Sequence, residues 1–289
     1  MGGTAGTLGG ACYNLRVGER QEDVGGVPLF WRELPPRGGA APVLYLHGVP
    51  TNSDDWLPFL EHTGGVAPDL PGFGRSGKPA GFDYSIEGYG RYLREFVELL
   101  GLERFSLLVH DWGGVGLALA QQLPDRLERL VIVNAVPLLP GYRWHRIARV
   151  WRTPILGELA MGLSTRWVGK QLSREATVAP GPAPDELLDR TYDHFDQGTQ
   201  RAILKLYRSA PPERLAEAGE RLGELRCPAL VLWGAEDPYI DSSFAHAYAE
   251  ALGGPVRLEL AQGAGHWPWV DRPELVETVT SFLRESGGR

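Results

Sequence analysis

The chain has 289 residues, 43% hydrophobic and 22% charged, enough for one large core or for a core with an insertion. Its formal net charge of −7, with no basic run, argues against nucleic acid or an anionic membrane surface as a partner. No apolar stretch is long enough to span a bilayer, MGGTAGTLGGACYN lacks the pattern of a secretory signal, and Cys12 and Cys227 make neither a disulfide framework nor a zinc set, so a soluble cytoplasmic protein is expected.

PVLYLH (42–47) is a short apolar run of the kind buried on both faces of a parallel sheet. GGVAPDLPGFGRSG (64–77) holds a short strand at most, then a Gly/Pro loop in which Asp69 and Arg75 are expected to brace the turns. From Ile86, apolar residues at 89, 93, 96, 97 and 100 form a helical stripe closed by Gly101. FSLLVH (105–110), VGLALAQQL (115–123) and RLVIVNA (129–135) continue as strand, helix, strand. Residues 137–224 break the rhythm: they are amphipathic, rich in Pro, Arg and Trp, and without a convincing strand. PALVLWG (228–234), a helix around 242–252, PVRLEL (255–260) and a helix over 273–285 restore it. The prediction is a doubly wound, mostly parallel α/β sheet built from 1–136 and 225–289, interrupted by a helical lid over 137–224. Right-handed crossovers put the loops after the strands on one sheet edge, and Asp111, Asp237 and His266 all follow strands.

Asp111 stands between an apolar strand and the glycines of HDWGG, where burying an unpaired carboxylate costs roughly several kcal/mol. The stretch LVHDWGG resembles the nucleophile elbow of the α/β-hydrolases, with aspartate in place of serine and Val109 in place of the first glycine. WGAEDPYI then supplies Asp237, preferred over Glu236, and AQGAGHWPWVDRPE supplies His266, in that family's order of nucleophile, acid, histidine. HGVPTNSDDW (47–56) resembles its oxyanion loop, which implies backbone N–H donors at Val49 and Trp112. His110 is expected to be structural, bonding within the elbow.

An ionised carboxylate attacks carbon without a base, giving an ester that His266, oriented by Asp237, hydrolyses with water. Two hydrolase groups resembling this sequence work in that way, the epoxide hydrolases and the haloalkane dehalogenases. Dehalogenases hold the halide with indole or amide N–H groups. Trp112 offers one, with Trp144, Trp151 and Trp167 as further indoles, but Val49 occupies the place of a customary asparagine. Epoxide hydrolases donate to the opening ring oxygen from lid tyrosines, and AILKLYRSAP points to Tyr207. TPILGELAMG (153–162) has no tyrosine, which leaves Tyr142 and Tyr192 for the first donor, with Tyr142 preferred. The resemblance therefore implies an epoxide hydrolase acting on a small apolar epoxide, with Trp112, Trp144 and Trp151 on the pocket wall. A haloalkane dehalogenase is the alternative, and a ligand-binding relative without turnover comes third. The scattered histidines have no ligand spacing, so neither metal nor cofactor is expected.

Overall fold

Every second residue of the central strands faces the same way, and the molecule uses both faces. Leu107 and Val109, Leu130 and Ile132, and Val231 and Trp233 enter one hydrophobic cluster; Leu108, Val131, Leu230 and Leu232 enter the other. Strands buried on both sides need helices on both sides. The structure, a computed structural model, describes residues 17–178 and 185–285. Among these residues a single eight-stranded sheet runs β1 (Gly18–Val24), β2 (Val27–Leu34), β4 (Gly65–Pro68), β3 (Val43–Leu46), β5 (Phe105–Asp111), β6 (Leu127–Ala135), β7 (Ala229–Gly234) and β8 (Val256–Ala261). All pairings from β4 to β8 are parallel, while β1 pairs with β2 and β2 with β4 antiparallel.

Helices α2 (Ile86–Leu99), α3 (Gly116–Gln122) and α10 (Ser243–Ala251) cover one face, and α1 (Leu57–Thr63) and α12 (Leu275–Arg284) the other. The predicted stripe of α2 is buried at Ile86, Tyr89, Leu93, Phe96 and Val97; its first turn is capped by the Ser85 hydroxyl, which accepts from the Gly88 N–H at 3.0 Å. Among the described residues six α-helices lie between β6 and β7: α4 (Arg146–Arg152), α5 (Leu156–Gly162), α6 (Arg166–Ala176), α7 (Asp185–Tyr192), α8 (Gln197–Ser209) and α9 (Pro212–Ala218). The short α11 (Pro268–Asp271) follows β8.

The hairpin β1–β2 precedes the strands read from the sequence, although β2 carries the apolar run VPLFW, buried at Val27, Leu29, Phe30 and Trp31. β1 reads GERQEDV and is exposed along most of its length, as an edge strand that resists further pairing should be. Its signal is local: Gly25 and Gly26 both adopt positive φ, the backbone that a two-residue hairpin turn requires.

The chain steps from β3 to β4 on one side and to β5 on the other. The carboxyl ends of β3 and β5 therefore flank a topological switch point, where α/β sheets open a crevice. Val49 follows the first of these strands and Asp111 ends the second.

Candidate active site

Asp111 sits at the elbow with φ 49° and ψ −122°, a conformation costing on the order of 1–3 kcal/mol. The turn is tight enough that a Cβ at Gly113 would strike the Leu46 carbonyl, and one at Gly48 would strike the Asp111 side chain. The loop after β3 closes over the carboxylate: the Val49 N–H donates to Asp111 Oδ1 at 2.7 Å. His47 holds that loop. Its Nε2 accepts from the Leu70 N–H at 2.9 Å, so its proton is on Nδ1 and is donated to the Gly48 carbonyl at 2.8 Å. Asp69 accepts from the N–H groups of Ser53 and Arg75, both at 2.7 Å, and so braces the loops as expected.

His266 Nε2 lies 3.6 Å from Asp111 Oδ2, and His266 Nδ1 donates to Asp237 Oδ2 at 2.8 Å. Asn134, at the end of β6 with φ 40°, donates to the same oxygen at 2.7 Å; the N–H groups of Tyr239 and Ile240 donate to Asp237 Oδ1. Asp237 is thus satisfied on both oxygens, while Glu236 turns away to accept from Gly263 and Ala264. His110 bonds across to the histidine loop rather than within the elbow: its Nε2–H donates to the His266 carbonyl at 2.8 Å. Burial, helped by the nearby His266, lowers the His110 pKa to about 3 and keeps it neutral.

Charge follows from these contacts. Burial alone raises Asp111, but the hydrogen bond and charge of His266, then His110 and the Val49 N–H, bring it below the usual carboxylate range. Asp237 is lowered against its burial in the same sense by His266 and Asn134. Burial lowers His266, yet the carboxylates of Asp237 and Asp111 outweigh it and hold the imidazole well above its ordinary value.

Above this cluster lies a largely apolar cavity of about 120 Å³, near the ~150 Å³ that accommodates benzene in an engineered core. Asp111 and His266 form its floor and Tyr207, Trp151 and Met161 part of its cover. Trp151 lines it. Trp112 and Trp144 lie behind Tyr207 instead: the two indoles stack at 5.3 Å and 21°, each about 5.0 Å from the Tyr207 ring. The Trp144 N–H donates to the Ala210 carbonyl at 2.9 Å, whereas the Trp112 indole N–H lies beside the Tyr207 hydroxyl without a hydrogen bond of regular geometry. Trp167 stands in solvent, 70% exposed. Tyr142 packs behind the wall against Trp144 and Phe244, its hydroxyl buried without a partner among the described residues. Tyr192 lines the cavity.

The residue that joins Tyr207 on the cavity wall is His145. As N-cap of α4 its Nδ1 accepts from the Ala148 N–H at 3.4 Å, which leaves the ring proton on Nε2. Burial lowers it to about 4, so the ring is neutral. Tyr207 is pushed well above the usual phenol range by burial and by Asp111, with the Trp112 indole N–H acting the other way. Tyr239 and Trp267 complete the rim beside His266, and neither was singled out from the sequence.

The profile of the Alpha/beta hydrolase family matches residues 43–279. A haloalkane dehalogenase of Mycolicibacterium paratuberculosis (strain ATCC BAA-968 / K-10) is 32% identical over 264 residues, covering 83% of each chain. Epoxide hydrolase 3 of Xenopus tropicalis is 28% identical over 265 residues, 84% of this chain and 71% of that protein. The crystal structure of a haloalkane dehalogenase from Bradyrhizobium elkani USDA94 superposes with a TM-score of 0.79 over 93% of this chain and 98% of its own, at 24% identity, a likeness of fold.

Proposed function

We propose that this chain, which belongs to the alpha/beta hydrolase family and is a hydrolase of the epoxide hydrolase or haloalkane dehalogenase type, opens epoxides to vicinal diols through an ester on Asp111. The observation that carries the finer reading is the pairing, on the cavity wall with Asp111, of a hydroxyl and a neutral imidazole, Tyr207 and His145. A departing halide needs no proton. An opening ring becomes an alkoxide and does, and Tyr207 stays protonated throughout the physiological range because burial raises it.

Asp111 Oδ1 is held by the Val49 N–H, so the looser Oδ2 is the nucleophile. Oδ2 forms a bond to a ring carbon, the carbon–oxygen bond of the ring breaks, and the oxygen takes the Tyr207 proton with His145 Nε2–H as second donor. The Trp112 indole N–H beside Tyr207 stabilises the phenolate left behind. Oδ1 is now the ester carbonyl oxygen, already at the Val49 N–H, with the Trp112 backbone N–H as the second oxyanion donor. His266 takes a proton from water, which attacks the ester carbon; on collapse the remaining water proton passes to the departing oxygen of the diol, Asp111 returns as the carboxylate, and the proton on His266 goes back to the Tyr207 phenolate. Asp237 orients and supports the imidazole. Tyr142, behind the wall, has no part in this scheme.

Dehalogenation is the second reading, favoured by the dehalogenase relative. One screen separates them. Small aryl and alkyl epoxides, and short bromo- and chloroalkanes, are offered to the same enzyme with diol and halide assayed. Diol without halide supports the proposal; halide without diol replaces it with dehalogenation; neither, with ligand binding retained, assigns the chain to binding without turnover.

A further inference from the structure

Helix α5 is apolar on two opposite sides. Gly157 and Met161 are buried, and Met161 lines the cavity. Ile155, Leu159 and Leu163 recur every fourth residue, about 40° apart around the axis, and are 76%, 61% and 72% exposed. Leu156 and, at the start of α6, Trp167 extend the strip. Five of the seven exposed large hydrophobic residues among those described fall within these 13 positions, which makes them a patch rather than scatter.

The charge around this patch is opposite to that of the molecule. Residues 143–176 hold seven Arg or Lys against two Glu, a local +5 in a chain of −7. Both glutamates are paired, Glu158 with Arg208 and Glu175 with Arg146, while Arg143 and Arg149 are exposed and make no ion pair among the described residues. The whole-chain charge, which argued against a membrane surface, averages this region away.

We infer that the α5–α6 face docks on an anionic lipid bilayer at interfacial depth: Leu159, Leu163 and Trp167 enter the headgroup boundary and the surrounding arginines meet lipid phosphates. A second copy of the chain is a poorer occupant, because a two-fold contact would set this positive region against itself. Inward of the same face, Met161, Ser164, Gly169 and Leu172 line the cavity, so a docked bilayer lies one helix layer from the space above Asp111. Docking stands apart from the reaction; only the corollary, that a lipophilic epoxide is taken from the bilayer, rests on the proposed function.

Co-sedimentation of the full chain with vesicles tests docking without any turnover. Phosphatidylcholine vesicles are compared with vesicles in which roughly one third of the lipid is phosphatidylglycerol. Binding should be at least about tenfold stronger with the anionic lipid and should weaken as salt is raised. The triple variant Leu159→Ser/Leu163→Ser/Trp167→Ser should lose it with an unchanged melting temperature. Arg143→Gln and Arg149→Gln should each weaken it roughly fivefold. Absence of phosphatidylglycerol-dependent binding, or wild-type binding by the triple variant together with both arginine variants, overturns the inference. A dimer in gel filtration that the triple variant dissolves overturns it too and gives the face to a second copy.

Discussion

The His266 imidazole is held between two carboxylates, and the proposed reaction removes one of them. Esterifying Asp111 neutralises it, so the raised imidazole pKa should fall towards its ordinary value and free the ring to act as a base in the step that needs one. The rate of ester hydrolysis, followed by rapid mixing, should therefore rise with pH around a midpoint below that of the free-protein imidazole measured by NMR. Coincident midpoints would contradict the coupling. His266→Gln should stop after one turnover and carry the substrate's mass on the intact protein. Tyr207→Phe should slow ester formation by roughly 10²–10⁴-fold, the usual contribution of a general acid, and leave ester hydrolysis nearly unchanged. His145→Leu should act on the same step with a smaller loss, since it removes a second hydrogen bond and not the transferred proton. Equal rates in wild type and Tyr207→Phe would take Tyr207 out of the site.

At the scale of elements, the site depends on loops held by charge. Arg75 donates to Asp54 at 2.8 Å and to Asp69 at 3.3 Å, and Asp54 also receives Arg32 at 2.7 Å. Because Arg32 remains on Asp54 and two backbone N–H groups remain on Asp69, Arg75→Ala should cost about 2 kcal/mol in a denaturant titration. A loss under about 0.5 kcal/mol would mean that the backbone donors suffice alone. The loops at the sheet edge were legible in the sequence because their chemistry is local: Asp111 before glycines, His266 after Gly265, and Asp237 two residues past Ala235 each announce a turn after an apolar run. Strand β1 was not read, since an edge strand as polar as GERQEDV has no burial pattern to detect, whereas the apolar VPLFW of β2, with Pro28 inside it, was legible and went unread. His145 was missed for another reason. Periodicity gives the buried face of a helix, not the partner it meets, and a histidine following Trp144 carries no local mark of a donor to the cavity. Asn134 reaches Asp237 only because β6 and β7 are neighbours in space, 103 residues apart in sequence.

Over the whole molecule the site trades stability for function in opposite pH directions. Asp111 and Asp237 are lowered, so their contribution is present above the ordinary carboxylate range and is lost as pH falls through their depressed values. His266 is raised, so its contribution is full below the ordinary imidazole value and is lost as pH rises through the raised one. Asp55 adds a cost at neutral pH. Burial raises its carboxyl to about 7, and Oδ2 has no partner among the described residues, so stability declines between the unfolded carboxylate value and neutrality. Asp55→Asn should raise the melting temperature by a few degrees at pH 8 and by clearly less at pH 5, inside the window where the loss accumulates; a drop at both would show that the carboxylate is required. Whether Asp111 itself carries the substrate as an ester is decided by a single turnover in water enriched in ¹⁸O with enzyme in excess over epoxide. An ester on Asp111 gives an unlabelled diol and one heavy oxygen in the peptide containing Asp111. Heavy oxygen in that first diol, with an unlabelled Asp111, would contradict it.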